Sequence, residues 1–455
     1  MGDLRGFIDS VRRERASELV DVRREVSPRY ETAAILTKFE QKYRSPMLFF
    51  HKVAGSGFPV VTNVCGSKGR LALALGCTLG ELSARYRSAC ESPIKPVMQS
   101  DGAVQEIVRL KDDVDLGMLP QMVYHENDAA HPYITAAIVV VNDPETGTTN
   151  LSYHRLMILG RNQTAIFMER RHLFAIYQKY ARADQAMPIA AVIGAHPAWS
   201  MGAVYAGSPD VGEYDIIGGL QRQPLNLVEC ATRPGLGVPA DAEMVLEGYV
   251  PPQERVAEGP FGEFTGVSTG TSETPVFHVE AMTSRRQPIF QDIVSGHLEH
   301  LVVPALTEEA HILEVARAIA PGVTRVSVPA PLTVLIAIDK ASDTEPRQII
   351  EAILTRHIYA KHVVVVDSVV DLGDARQLAA AMALNVQADR DVCVLHDQQG
   401  SACDPSSEPL AAKTAKMGID ATRPLGSRRA VVRNTVPQHV LDAVDIREFM
   451  GDGRS

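Results

Sequence analysis

Two glutamates stand five residues apart in Glu258-Gly-Pro-Phe-Gly-Glu263. On a strand or a helix, side chains at that spacing diverge. Only a turn makes them converge, and two glycines and a proline supply the turn chemistry. Converging carboxylates do not both ionise easily, so one is a candidate acid that keeps its proton near neutral pH. Taken alone, the motif reads more readily as a surface turn with two solvated acids.

A second set of reactive side chains surrounds Asn150-Leu-Ser-Tyr-His-Arg155, which opens a strand. Arg155 shares a face with Tyr153 and Met157, opposite Ser152 and His154. An arginine among apolar neighbours needs an anion, either a carboxylate of the protein or one carried by a substrate. Asn150 would point away from Arg155 on an unbroken strand, so it reads as a turn residue ahead of the strand. Arg171-His172 begins a helix at a strand end, where a basic pair would strengthen a phosphate site. Glu213 lies in Gly212-Glu-Tyr-Asp-Ile-Ile-Gly218, another loop-to-element junction. Asn, His and Glu are oxygen and nitrogen ligands suited to Mn²⁺ or Mg²⁺. Spacing does not bring them together, and each has an ordinary reading as a turn residue, an ion-pair member or a surface histidine. The loops that cradle nucleotide phosphates and the HExxH and GxSxG signatures are absent from the sequence.

The elements that must position these groups fall into three blocks. Leu4, Phe7, Ile8, Val11, Leu19 and Val20 recur at helical spacing, which predicts a helix within residues 3–26. With the strand-like 47–51 and 58–62 and a helix over 76–89, residues 1–105 read as a small α/β domain. Residues 106–300 are rich in strand-like runs, including a hairpin of 133–142 and 151–159 across Asp143-Pro-Glu-Thr-Gly147. That block reads as β-rich and barrel-like. Residues 301–435 alternate helix and strand, the pattern of an α/β layer with parallel strands. Within it, 397–424 is rich in Gly, Ser, Asp and Pro and reads as a long functional loop. A last helix over 437–449, in a 436–455 tail, carries Val440, Leu441, Val444, Ile446 and Phe449 and must dock on its own core or on a second subunit.

The chain has 455 residues, too many for one ordinary core. Apolar residues make up 45% and charged residues 22%, a soluble globular balance. A formal charge of −10 disfavours nucleic acid or an anionic membrane as partner. The N-terminus lacks a signal-peptide core and no apolar run is long enough to span a bilayer, so membrane insertion is not expected. Six scattered cysteines without a CxxC pair read as reduced thiols of a cytoplasmic protein.

Taken in series, these stretches resemble the UbiD family of prenylated-FMN-dependent (de)carboxylases. The resemblance rests on Asp143-Pro-Glu-Thr-Gly147 leading into Asn150-Leu-Ser-Tyr-His-Arg155, on Pro239-Ala-Asp-Ala-Glu-Met-Val-Leu-Glu-Gly248 and on Glu258-Gly-Pro-Phe-Gly-Glu263. Lys416-Met-Gly-Ile-Asp-Ala-Thr422 is similar to the family's C-terminal motif. It implies a split-β-barrel flavin domain flanked by two α/β domains. It also implies that Asn150, His172 and Glu213 hold a Mn²⁺ (or Mg²⁺) at the cofactor phosphate, with K⁺ nearby. Glu258, Arg155 and Glu263 would form the catalytic network, with Glu263 as proton donor. Residues Asn150, Leu151, Ser152, Tyr153, His154 and Arg155, with Arg171 and His172, would line the flavin, and Lys416 would lie near it. His297 and His300 would face the substrate.

The reaction so implied is a reversible, non-oxidative decarboxylation of an aromatic, heteroaromatic or α,β-unsaturated acid. The lean is toward a small heteroaromatic acid such as pyrrole-, furan- or indole-carboxylate. Loss of CO₂ from an sp² carbon leaves charge that no side chain can absorb, so a cofactor must. A flavin prenyltransferase would supply that cofactor, and the chain would assemble as a homodimer or higher homo-oligomer. Two other readings exist. An FMN-dependent split-barrel reductase leaves Glu258 and Glu263 without work, and a non-catalytic cofactor-binding subunit has no need of an acid.

Overall fold

The computed structural model describes residues 2–205, 211–401, 403–408, 413–426 and 436–445. The chain is a mixed α/β, multidomain structure organised around three larger sheets. The central sheet has ten strands, all paired antiparallel, and Ser272–Ser284 is its longest. Met187–Ile193 lies between Ile138–Asn142 and Met244–Val250. These strands are near-continuous apolar runs because both faces are covered. Ile138, Val140, Ala190, Val192 and Val245 enter one core, while Val139, Val141, Ile189, Ala191 and Leu246 enter the other. Alternation along each strand therefore feeds two cores from one sheet.

The hairpin expected across Asp143–Gly147 is present, with Ile138–Asn142 against Thr149–Tyr153. The strand does not run on to residue 159. It breaks at His154 and Arg155 and resumes as Leu156–Ile158, which pairs with Tyr133–Ile134. Asn150 is not in a turn but inside the strand, opposite Val141. The break lets Asn150 and Arg155 serve one cavity, which an unbroken strand would forbid.

At the N-terminus the helix stops at Glu14, and Leu19–Val22 forms a strand parallel to Met47–Phe50. Edge pairing there outweighs the helical spacing of Leu19 and Val20. The same sheet takes its last strand from Phe290–Asp292, so the first and middle blocks share backbone pairing. The helical region expected over 76–89 is divided. Gly76 turns the chain at positive φ between Lys68–Ala74 and Leu82–Glu91.

In the third block a five-stranded sheet carries Thr333–Ile338, His362–Asp367 and Lys413–Ala421 in parallel. Lys413–Ala421 lies within the stretch read as a loop. Its alternating burial, with Thr414 and Lys416 inward, marks it as a strand between His362–Asp367 and Val392–Gln399. Of the C-terminal helix, Gln438–Ala443 is described, and Val440 and Leu441 are exposed. Ile446 and Phe449 lie outside the described residues. All six cysteines are free, and among the described residues no helix is long and apolar enough to cross a membrane.

Candidate active site

One cavity of about 430 Å³ is lined from the central sheet, from the loop after Glu258 and from the third block. Three of its walls carry the chemistry.

On the first wall, Arg155 is held between two aromatic faces, 4.0 Å from the centroid of Phe167 and 5.2 Å from that of Phe261. Glu258, at the end of the strand Arg255–Glu258, is fully buried behind it and takes its guanidinium bidentately, at 2.9 Å on both oxygens. Tyr133 donates to the same carboxylate at 3.0 Å. The chain then turns through Gly259 at φ +89°, where a Cβ would lie 2.7 Å from the Gly270 carbonyl oxygen. That turn brings Glu263 onto the other side of Arg155, in contact with Nη1. The five-residue spacing thus converges on one guanidinium, as turn chemistry requires. Burial pushes the Glu263 carboxyl up to about 7, against the pull of Arg155 and helped by the charges of Glu169 and Glu258. Glu258 does not line the cavity, whereas Arg155 and Glu263 do.

The second wall is built by the strand Thr149–Tyr153 and two helix starts. Burial drives the His154 ring down to about 4, so it is neutral at pH 7. The Phe167 carbonyl, 2.8 Å from Nδ1, can only accept, which places the ring proton on Nδ1. Nε2 then accepts from the Ser152 hydroxyl at 2.9 Å, and Ser152 accepts from the Asn150 amide nitrogen at 3.3 Å. This relay fixes Asn150 by its nitrogen and leaves its carbonyl oxygen for the cavity. His172 opens the helix His172–Arg182, and no protein hydrogen bond engages its ring among the described residues. Glu213 opens the helix Glu213–Gln221 and accepts from the Leu151 amide at 3.2 Å. Burial pushes its carboxyl up to about 7, and no salt bridge compensates it among the described residues. Asn150, His172 and Glu213 all line the cavity, which spacing could not establish.

No cluster of three or more His, Cys, Asp or Glu is arranged to hold a metal among the described residues. A divalent ion here would depend on the Asn150 oxygen with His172 and Glu213. The set fits: two hard oxygens and an imidazole, one oxygen being a buried carboxylate that pairs with no cationic side chain among the described residues. Two helix N-termini facing the same space fit a phosphate.

The third wall was not legible beforehand. Tyr359 packs edge-on to Phe264 at 5.7 Å and donates to Glu169 at 3.2 Å. The Cys403 thiol lies 3.8 Å from the other Glu169 oxygen, and Arg171 reaches the Tyr359 hydroxyl at 3.4 Å. Glu169 therefore joins the third block to the site while its charge raises Glu263. Substituting Glu169→Gln is expected to lower the Glu263 pKa by roughly one unit, the low end for a neighbouring charge. Titration of the Glu263 side-chain carboxyl carbon by NMR checks this, and an unmoved midpoint contradicts it.

Two expected site residues stand elsewhere. Lys416 is buried in the sheet and donates to the backbone oxygens of Leu354 at 2.9 Å and His357 at 2.7 Å. It caps the C-terminal end of the helix Glu345–Arg356, where a cation is favoured, and does not line the cavity. His297 also misses the cavity, because its ring pairs with Glu40 at 2.7 Å ahead of the helix Leu298–Ile319. His300 does line it, with its ring driven down to about 4 by burial and by Arg155. Glu299, between the two histidines, is a lining residue too.

Family models match the chain almost end to end. The 3-octaprenyl-4-hydroxybenzoate carboxy-lyase N-terminal, Rift-related and C-terminal domains cover residues 12–87, 95–298 and 302–421. The anhydromevalonate phosphate decarboxylase of Methanosarcina mazei is 32% identical over 92% of this chain and 96% of its own length. That of Methanothermobacter thermautotrophicus is 30% identical over 93% and 97%. Among solved structures, the UbiD-class enzyme HmfF from Pelotomaculum thermopropionicum, in complex with FMN, superposes with a TM-score of 0.92 at 35% identity. That match covers 98% of this chain and 100% of HmfF. An evolved dimeric form of HmfF in complex with prFMN gives 0.89 at 33%, over 99% and 100%.

Proposed function

We propose, from the premise that this chain belongs to the UbiD family of carboxy-lyases, that it uses prenylated FMN to decarboxylate an aromatic, heteroaromatic or α,β-unsaturated acid reversibly. The observation that carries the reading is the guanidinium of Arg155, locked from behind by Glu258 and faced in the cavity by Glu263. When bound, the prenylated flavin supplies the electron sink that side chains lack. Arg155 presents planar donors to the substrate carboxylate and orients it. Glu263 holds a proton near neutral pH and delivers it to the carbon that CO₂ has left. Glu258 fixes Arg155 and discourages ionisation of Glu263.

Asn150, His172 and Glu213 would hold Mn²⁺ (or Mg²⁺) against the cofactor phosphate, with K⁺ beside it. An ion held there would neutralise phosphate charge rather than activate water, unlike the usual Lewis-acid role. Chelation with EDTA should weaken FMN binding by tenfold or more, with Mn²⁺ restoring it. Fluorescence titration reads the result, and an EDTA-insensitive Kd removes the ion from the site.

For the substrate, Arg155 and Arg171 are the only arginine or lysine side chains on the cavity wall among the described residues. Arg155 is committed to the scissile carboxylate and Arg171 lies beside the phosphate wall. His300 is neutral. A small acid with an uncharged tail, such as furan-, pyrrole- or indole-carboxylate, suits that lining better than a second anionic group. Anhydromevalonate phosphate, for which the curated relatives are named, is the contrasting candidate. Co-expression with a flavin prenyltransferase, then deuterium uptake from heavy water across both kinds of acid, tests the proposal. A protein that retains no flavin with Mn²⁺ present, or exchanges no acid, defeats it. A homo-oligomer is proposed alongside.

A further inference from the structure

The backbone that carries Glu263 has little support of its own. Among the described residues, Phe261–Gly262 pairs with Ser268–Thr269 as a separate two-stranded sheet, two residues to a strand. A lone hairpin is marginal in water. Within it the Glu263 amide donates to the Val267 carbonyl at 2.9 Å, and the Thr269 hydroxyl donates to the Phe261 carbonyl at 3.2 Å. The outer edge would present the Pro260 carbonyl and the Gly262 amide unpaired. The loop 124–129 covers that edge as a third strand would. The Ala129 amide donates to the Pro260 carbonyl at 2.7 Å, and the Gly262 amide donates to Asp128 Oδ1 at 3.1 Å. The approach is close, since a Cβ on Gly262 would lie 3.0 Å from His125 Nδ1. The loop is anchored in turn. The Val123 backbone bridges to Arg29, and the Tyr133 amide donates to the Met122 carbonyl at 3.0 Å. The Tyr124 ring packs edge-on to Phe261 at 6.1 Å while its hydroxyl donates to Asp292.

We propose that Asp128 is a positioning residue for the acid: it holds the Gly262 amide and so fixes the backbone from which the Glu263 carboxyl meets Arg155. The inference rests on the proposed role of Glu263 as proton donor. The Asp128 side chain is only 1% exposed. Its second oxygen, Oδ2, accepts from the His125 amide at 2.9 Å and lies 3.1 Å from the His125 ring Nδ1. Each carboxylate oxygen thus serves a different backbone amide. An asparagine there has one acceptor oxygen and can hold only one of the two. Neither Asp128 nor His125 lines the cavity, whereas Gly262 and Glu263 do, so Asp128 acts through the turn and not on an occupant. Arg155 does not depend on this clamp, because its bidentate partner is Glu258, ahead of the turn. Loss of the clamp therefore displaces the acid and leaves the carboxylate-binding guanidinium in place. The fault falls on proton delivery rather than on binding, and a misplacement of about 1 Å is enough to cost roughly 10²-fold.

The test compares full-length wild type, Asp128→Asn, Glu263→Gln and the double variant, each co-expressed with a flavin prenyltransferase. Thermal melting and FMN affinity check that fold and flavin site are intact, and turnover is read as CO₂ release across both kinds of acid named above. Asp128→Asn is expected to lower kcat about 10- to 10²-fold with KM within about twofold of wild type. Glu126→Gln, which removes an exposed charge from the same loop, stays at wild type. Because Asp128 acts through Glu263, the double variant stays within about threefold of Glu263→Gln alone. Hydrogen–deuterium exchange of flavin-free protein, resolved to Gly262 by fragmentation mass spectrometry, reads the clamp without turnover. The Gly262 amide should be protected in wild type and exchange about tenfold faster in Asp128→Asn. An unprotected Gly262 amide in wild type overturns the inference, and that measurement decides it even where Asp128→Asn does not fold. Wild-type turnover in a folded Asp128→Asn also overturns it, as does a double variant in which the two losses multiply. A wild type that turns over none of the acids, or a Glu263→Gln as active as wild type, instead defeats the underlying reading and removes the acid that the clamp would serve. The earlier outcomes leave that reading standing, which separates the two failures.

Discussion

Glu263→Gln is expected to lower turnover by about 10²- to 10⁴-fold, the range for losing a positioned general acid, while flavin binding and the melting temperature stay within error of wild type. The amide keeps the side chain's shape but has no acidic proton. Arg155 keeps its place because its bidentate partner is Glu258, not Glu263. The defect should lie in proton delivery, so deuterium uptake into product from heavy water fails along with turnover. The pH profile follows from the sign of the shift. Burial raises Glu263 to about 7, so the proton is in place below that value and is lost as pH rises through it. Wild-type proton delivery should therefore decline on the alkaline side of neutrality. Glu169→Gln should move that limb to lower pH. Unchanged activity of an assembly that contains Glu263→Gln would return the chain to the reading of a non-catalytic cofactor-binding subunit.

What the sequence made legible follows from how local each signal is. The Glu258–Glu263 turn was readable because glycines and a proline can do little else over six residues. The helix starts at His172 and Glu213 were readable from their flanking loops. Their meeting with Asn150 was not, because it depends on a strand break at His154 and Arg155 that no periodicity announces. Lys416 was drawn to the cofactor by resemblance, yet the alternating burial of Lys413–Ala421 turns it into the sheet. Glu169 and Tyr359 could not be paired from sequence at a separation of 190 residues.

Arg155 is where catalysis and stability separate most cleanly. Arg155→Met keeps the hydrophobic stem against Phe167 and Phe261 but removes the cation. Among the described residues, Glu258 is then left fully buried with only the Tyr133 hydroxyl. Breaking a buried pair from one side costs about 3–5 kcal/mol, most of it the stranded charge. The urea midpoint should fall accordingly, and turnover should vanish because nothing clamps the substrate carboxylate. Adding Glu258→Gln removes the stranded charge while keeping an acceptor for Tyr133. The double variant should recover most of the lost stability and none of the activity. A purely structural role for Arg155 predicts the opposite pattern, in which restored stability brings turnover back. If Arg155→Met alone is no less stable than wild type, Glu258 must shed its charge without the arginine. The locked guanidinium would then no longer account for how this cavity orients its acid.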